Sequence, residues 1–229
     1  MQAVATPRQD LRSASVPAAA SPSPMAGASA PLDKIGAVVT LDREQPLFFE
    51  GDAAEFYYKV VKGAVRSCKV LADGRRHIGD FFFAGDFIGL DAGDSYAFAA
   101  DAVTPTTLIR YQRRKLDALA AHDPRIAKSF VEIMRNSLSA AHGRMAVLGR
   151  MNAMERIASF LLDLADRAED GRVELPMTRT DIADYLGLTM ETVSRAFSRL
   201  KSEGVIAQHN VREIAIADRG ALEALAEAA

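Results

Sequence analysis

From Ala37 to Gln112 the chain runs in short stretches rich in Val, Phe, Tyr and Ile, separated by glycines at 51, 63, 74, 85 and 89. β-branched and aromatic stretches of this length read as strands, and the glycines between them as turns. Gly51, Gly63, Gly74 and Gly85 fall 11 or 12 residues apart, the rhythm of successive antiparallel strands in a jelly roll or barrel. Asp73 and Gly74 form a two-residue hairpin signal. That turn sets residues 70 and 77 opposite one another and places Cys68 diagonal to His77 on one face.

After Tyr111 the glycine rhythm stops. Between Ile126 and Met151 there is neither proline nor strand-length alternation, which predicts one long helix. Along it Ala127, Val131, Met134, Leu138, Ala141, Met145 and Leu148 recur at alternating steps of 4 and 3, the narrow apolar seam of a two-stranded coiled coil. The alternative is a helix packed on its own domain. Phe130 and Ile133, beside the seam, are placed to face the β-domain. Gly143 weakens the helix but lets two backbones approach.

From Asn152 onward the pattern is helical with one interruption. Met154, Ile157, Ala158, Leu161, Leu162 and Ala165 share one face over residues 153–168, and a strand-like stretch, Val173 to Met177, follows Gly171. Thr178 then suits an N-cap for a short helix carrying Ile182, Ala183 and Leu186, ended by Gly187. A second helix begins near Thr189. Ala183, Gly187 and Val193 supply the small residue at a helix crossing, the glycine of the turn and the apolar core residue that a helix-turn-helix requires. A strand, a loop with His209 and Arg212, and a strand over Glu213 to Ala217 complete the pattern of a wing.

The organisation that follows is α+β. Residues 1–32, dominated by Ala, Ser and Pro, read as a disordered tail. Residues 33–116 form a β-roll of jelly-roll type, 117–151 the dimerisation helix region, and 152–229 a winged helix-turn-helix. A chain of 229 residues, 49% hydrophobic and 25% charged, is long enough to bury such cores.

The second helix of the pair exposes Glu191, Thr192, Ser194, Arg195, Ser198 and Arg199 while burying Val193, Ala196, Phe197 and Leu200. Arg offers a two-pronged donor to guanine, Glu accepts from the cytosine amino group, and Ser serves either partner of an A·T pair. Glu191 and Arg195 alone, one turn apart, would equally suit a surface salt bridge. The formal net charge of −2 supplies no global attraction to nucleic acid, and residues 178–213 hold five basic and five acidic side chains. Affinity must therefore come from placement and from two subunits acting together.

Other chemistries find little support. The single cysteine, Cys68, excludes an intramolecular disulfide and an all-cysteine metal site within one chain. The four histidines have no metal-ligand spacing, and no nucleophile, base and orienter group together, so no metal and no enzyme activity is expected. No apolar run is long enough for a membrane helix, and charged residues interrupt the N-terminus, which predicts a cytoplasmic protein.

From about residue 34 to the end the chain resembles the CRP/FNR superfamily of bacterial transcription regulators. Phe49–Asp52 (FEGD), Val61–Val65 (VKGAV) and Phe83–Leu90 (FAGDFIGL) are similar to its glycine turns, in order. Asn152–Phe160 (NAMERIASF) and Met177–Arg199 (MTRTDIADYLGLTMETVSRAFSR) are similar to the helix after the dimer seam and to the reading element. Glu191, Ser194 and Arg195 match the Glu, Ser, Arg set of the FNR and FixK branch, whereas the CRP branch has Arg at the place of Met190 and Gly at that of Ser194. The resemblance implies a homodimer on double-stranded DNA, an inverted repeat of TTGAT type, and phosphate contacts from Thr178, Arg179, Thr189, Thr192 and His209. It also suggests a weaker contact to RNA polymerase from Arg75 and Arg76.

The sensing side departs from better-known members. The FNR oxygen sensor's cluster needs four cysteines, and cyclic-nucleotide responders carry an Arg and a Ser where this chain has Asp94 and Ser95. From Ile78 to Ile109 stand five aspartates and no Lys or Arg, a stretch that would repel a phosphate. No cyclic AMP and no cofactor is therefore expected. The resemblance points to the FixK-like group, an activator type serving low-oxygen respiration and nitrogen metabolism. Two alternatives stay open: a nitric-oxide or denitrification regulator holding haem between Cys68 and His77, and a ligand-sensing signalling module that does not bind DNA.

Overall fold

Apolar and polar side chains alternating with period two build eight strands before the first helix: β1 (Ala37–Leu41), β2 (Pro46–Phe48), β3 (Phe56–Lys62), β4 (Val65–Val70), β5 (Arg76–Phe82), β6 (Phe87–Ile88), β7 (Ala99–Ala102) and β8 (Thr106–Gln112). They form two antiparallel sheets, ordered β1-β8-β3-β6 and β2-β7-β4-β5. Val60, Val65, Leu108 and Ala102, fully buried, knit the core between them. The computed structural model describes residues 35–90, 93–168 and 172–227; the tail expected over residues 1–32 lies outside them. Gly51, Gly63, Gly74, Gly85 and Gly89 all take positive φ, so the glycine rhythm of the sequence marks real turns.

The β4–β5 turn differs from the two-residue hairpin expected. The Leu71 N–H bonds the Arg75 carbonyl and the Gly74 N–H bonds the Leu71 carbonyl, both at 2.9 Å, so Ala72, Asp73 and Gly74 together form the loop. With a bulge at Ser67 and Cys68, the register pairs Lys69 with His77 and Cys68 with Ile78. Because side chains alternate along a strand, this one-residue change puts Cys68 and His77 on opposite faces. The geometry behind the haem alternative is gone. Burial and the neighbouring Asp101 also push the Cys68 thiol up, away from the thiolate that a metal requires.

Helix α1 (Arg113–His122) straddles the boundary expected at residue 116 and buries Leu116 against Phe87, Tyr111, Ile126 and Ile133. Helix α2 (Pro124–Arg150) starts where the Asp123 carboxylate accepts the Arg125 N–H, with proline in its first turn. Its 27 residues span about 40 Å. Ile126, Phe130 and Ile133 pack on the β-domain, the Phe130 ring lying 5.2 Å from that of Tyr57.

Asn152 and Glu155 form a capping box at the start of α3 (Ala153–Arg167), whose apolar face carries Ile157, Ala158 and Leu161 into the C-terminal core. There follow β9 (Arg172–Glu174), α4 (Arg179–Leu186), α5 (Met190–Ser202), β10 (Ile206–Asn210), β11 (Glu213–Ile216) and α6 (Arg219–Glu227). The wing sheet runs β10-β11-β9. One continuous apolar cluster joins Ile78 and Phe81 of the β-domain to Ile182, Leu186 and Leu200, so the two halves share a core.

Candidate nucleic-acid interface

Two short helices set at an angle need a defined start, turn and restart, and the chain supplies each locally. The Thr178 hydroxyl accepts the Asp181 N–H while the Asp181 carboxylate accepts the Thr178 N–H at 2.9 Å, a capping box that satisfies donors at both ends of the first turn of α4. Gly187 ends α4 in the left-handed region at φ 64°, and Leu188 returns its N–H to the Ala183 carbonyl. Thr189 then caps α5, accepting the Thr192 N–H at 3.2 Å. Val193, Ala196, Phe197 and Leu200 are buried beneath α5, and Glu191, Ser194, Arg195, Ser198 and Arg199 stand outside.

The outward face sorts by what its side chains already hold. Arg199 is paired with Glu203 at 2.8 Å, and the Ser198 hydroxyl donates to the Ser194 carbonyl. Glu191 and Arg195 form no salt bridge among the described residues, only a through-space attraction. The Glu191 carboxyl is held below the usual range by its own backbone N–H and the Thr189 hydroxyl, which keeps it an acceptor. Glu191, Ser194 and Arg195 thus share an exposed stripe, with the Glu191 carboxylate braced by the Thr189 hydroxyl.

The residues expected at phosphates are less uniform. Thr178, Thr189 and Thr192 cluster at the N-termini of α4 and α5, where backbone donors and the helix dipole favour an anion, and Thr189 and Thr192 share a hydroxyl contact at 3.0 Å. His209 is exposed on β10 of the wing. Arg179 departs from expectation. Its guanidinium lies over the Phe197 ring, 3.2 Å from the centroid, with Nη1 buried and unbonded, and burial lowers its pKa to about 10. It remains charged at neutral pH but must swing off Phe197 to reach a phosphate.

The two arginines expected at a polymerase contact also part company. Arg75 is exposed at the hairpin tip, where Asp73 pairs with it at 2.7 Å. Arg76 is not at the tip: it opens β5, and strand alternation turns it towards α4, where it bonds Asp181 at 2.6 Å and Asp184 at 2.8 Å. That side chain belongs to the contact between domains. The aspartates of the second half of the β-domain need correction too. Arg66 reaches Asp101 at 2.8 Å, Arg144 reaches Asp80 at 2.9 Å and Arg167 reaches Asp86 at 2.9 Å, so charge that looks unopposed along the chain is compensated from elsewhere in space.

A Crp-like helix-turn-helix domain matches residues 155–225, and a cyclic nucleotide-binding domain matches residues 38–123. The nitrogen fixation regulation protein FixK of Azorhizobium caulinodans is 40% identical over 197 residues, covering 83% of this chain and 79% of the relative. This chain belongs to the CRP/FNR family. Within it the likeness is to FixK: the Rhizobium meliloti protein is 38% identical over 197 residues, covering 86% and 90% of the two chains. The FixK2 structure from Bradyrhizobium japonicum superposes with a TM-score of 0.80 at 41% identity, covering 83% of this chain and 97% of that one. The chain is a FixK/FNR-type DNA-binding transcription regulator, not an enzyme.

Between the β-domain and α2 lies a partly open pocket of about 270 Å³. Phe48, Phe82, Phe98 and Leu90 make most of its wall apolar, and its one arginine, Arg144, is already engaged by Asp80. Arg113 spends its guanidinium on the carbonyls of Gly89 and Gly93, beside the loop of Asp94 and Ser95. Sequence reasoning missed Arg66, Asp181 and Asp184 as a group. An aspartate-rich stretch without local cations was the available signal that partners come from elsewhere.

Proposed function

We propose that this regulator acts as a homodimer on an inverted repeat of TTGAT type, with Glu191, Ser194 and Arg195 reading base edges and the caps of α4 and α5 holding phosphates. The observation that carries the reading is the exposed stripe of those three side chains on a helix whose other face is buried. Their identities match the FNR and FixK reading set, which supports guanine contact by Arg195. The dimer rests on the α2 seam. Val131, Met134, Leu138, Met145 and Leu148 are all exposed large hydrophobics, and Ala141 is half-buried beside them. Alternating steps of 4 and 3 make this stripe complementary to a second copy of itself.

The names of the FixK relatives, nitrogen fixation regulation proteins, support a role in controlling nitrogen-metabolism genes; activation through RNA polymerase, low-oxygen respiration genes as targets and a cytoplasmic location complete the proposal. Arg75 alone of the two hairpin arginines is available for that contact. Among the described residues no helix is long and apolar enough to cross a membrane. Cyclic AMP is not expected to be needed, because Asp94 stands at the place of the phosphate-binding arginine and Arg144 is already neutralised.

Fluorescence anisotropy on four duplexes varied at the guanine of the half-site tests the reading. Arg195→Ala should remove roughly 1 to 3 kcal/mol of discrimination there and bind all four about equally. A variant that still prefers guanine as strongly as wild type would show that another residue reads it.

A further inference from the structure

Apolar packing holds the helix-turn-helix against the β-domain but cannot orient it, because burial has no direction. Charges supply direction, and here they are arranged with opposite polarity at two ends of one contact. At one end the β-domain contributes cations, Arg66 and Arg76, to the carboxylates Asp181 and Asp184 of α4. At the other it contributes the carboxylate, Asp86, to a cation at the end of α3, Arg167, at 2.9 Å. Phe81 sits between, against Phe160 and Tyr185, with ring centroids 6.5 and 5.2 Å away. Rotating one domain against the other would break the pairs and face like charges together.

Asp181 is the pivot. Only 2% exposed, it accepts the Thr178 N–H and hydroxyl that start α4, and receives Arg66 Nη1 at 3.0 Å and Arg76 Nη2 at 2.6 Å. The carboxylate that initiates the helix also docks it. Arg66 is anchored from behind by Glu44 at 2.6 Å and Asp101 at 2.8 Å, so it is held rigidly on the β-domain. Only Gly187, Leu188 and Thr189 separate α4 from α5, so whatever places α4 places the proposed reading helix.

We propose that Arg66 and Arg76 are positioning residues for DNA reading, fixing α4 and with it α5 at one setting relative to the domain that carries the seam helix. The proposal rests on the DNA-reading assignment above. In a dimer that setting determines the separation of the two reading helices, hence the spacing of half-sites that both can reach.

The test uses the full chain as Arg66→Met/Arg76→Met, as Arg76→Met alone should the double variant not fold, and as Arg76→Lys. Anisotropy is measured on inverted repeats whose spacers differ by single base pairs. Wild type should prefer one spacer; the Met variants should lose roughly tenfold or more of that preference while keeping guanine preference within each half-site, and Arg76→Lys should recover most of it. Unchanged spacer preference in both Met variants, with folding verified by melting, overturns the proposal. A second measurement needs no DNA: spin labels at exposed positions 62 and 198, in a Cys68→Ser background. The Met variants should broaden the distance distribution between them, and an unaltered narrow distribution would sink the proposal even if DNA reading stands. Wild type that binds no repeat specifically, with distances that broaden as expected, would instead remove the DNA-reading assignment and leave the clamp as a fixer of domain orientation.

Discussion

Replacing Leu138 and Met145 together with Glu should separate the proposed dimer. Their exposures in the single chain are 58% and 69%. Fully burying a side chain of this size is worth about 1.5 to 3 kcal/mol, so covering the part still exposed contributes about 1 to 2 kcal/mol at each position. Two positions on two subunits sum to about 4 to 8 kcal/mol, or roughly three to six decades in dissociation constant. Like charges facing across the seam add to that loss. Neither residue belongs to the buried face of α2 that packs on the β-domain, so the monomer should melt within a few degrees of wild type. Sedimentation equilibrium over a wide concentration range should show a monomer, and anisotropy should show loss of binding to the full inverted repeat. If the variant dimerises within tenfold of the wild-type dissociation constant, this face of α2 is not the interface.

Gly187→Ala should destabilise the helix-turn-helix by roughly 1 to 2 kcal/mol in urea unfolding, because its φ of 64° is costly for a residue with a Cβ although that Cβ would meet only the Arg156 guanidinium, in ordinary contact at 3.6 Å; no loss would mean the turn relaxes freely. Burial lifts Asp80 to about 6 against the partial opposition of Arg144, while about 3.9 holds in the unfolded chain. The folded state therefore binds the extra proton between those values, and the stability this group supports falls as pH rises from about 4 to about 6. Asp80→Asn should gain on wild type across that window by at most roughly 3 kcal/mol, and a difference independent of pH would refute the assignment. Cyclic AMP at millimolar concentration should leave the melting temperature unchanged, whereas a ligand at a hundred times its dissociation constant would add about 2.7 kcal/mol. Arg179→Ala should reduce the salt slope of DNA binding by about one unit per subunit if the side chain leaves Phe197 for a phosphate, and an unchanged slope would show that it stays.

What the chain determines by itself is local. A glycine needing positive φ, a threonine capping a helix and an apolar residue at every third or fourth position act over a few residues, and each is visible in the string: the turn glycines from Gly51 to Gly89, Thr178, Gly187 and the exposed apolar stripe of α2 all stand where the pattern places them. The outward placement of Glu191, Ser194 and Arg195 is legible for the same reason, since helical periodicity separates them from buried Val193 and Phe197; their proposed reading role comes from the family resemblance. Tertiary structure decided whatever depends on partners distant in sequence. A three-residue turn instead of a two-residue one moved Cys68 and His77 to opposite faces, a choice made by the closing hydrogen bonds of one loop and a bulge that strand composition does not encode. Arg76 looked like a hairpin-tip cation and Arg179 like a free phosphate ligand until packing turned one towards Asp181 and Asp184 and the other onto Phe197. Asp80, Asp86 and Asp101 looked unopposed because Arg144, Arg167 and Arg66 reach them across the fold rather than along it. Electrostatic attraction depends on separation in space, and only the folded chain sets that separation.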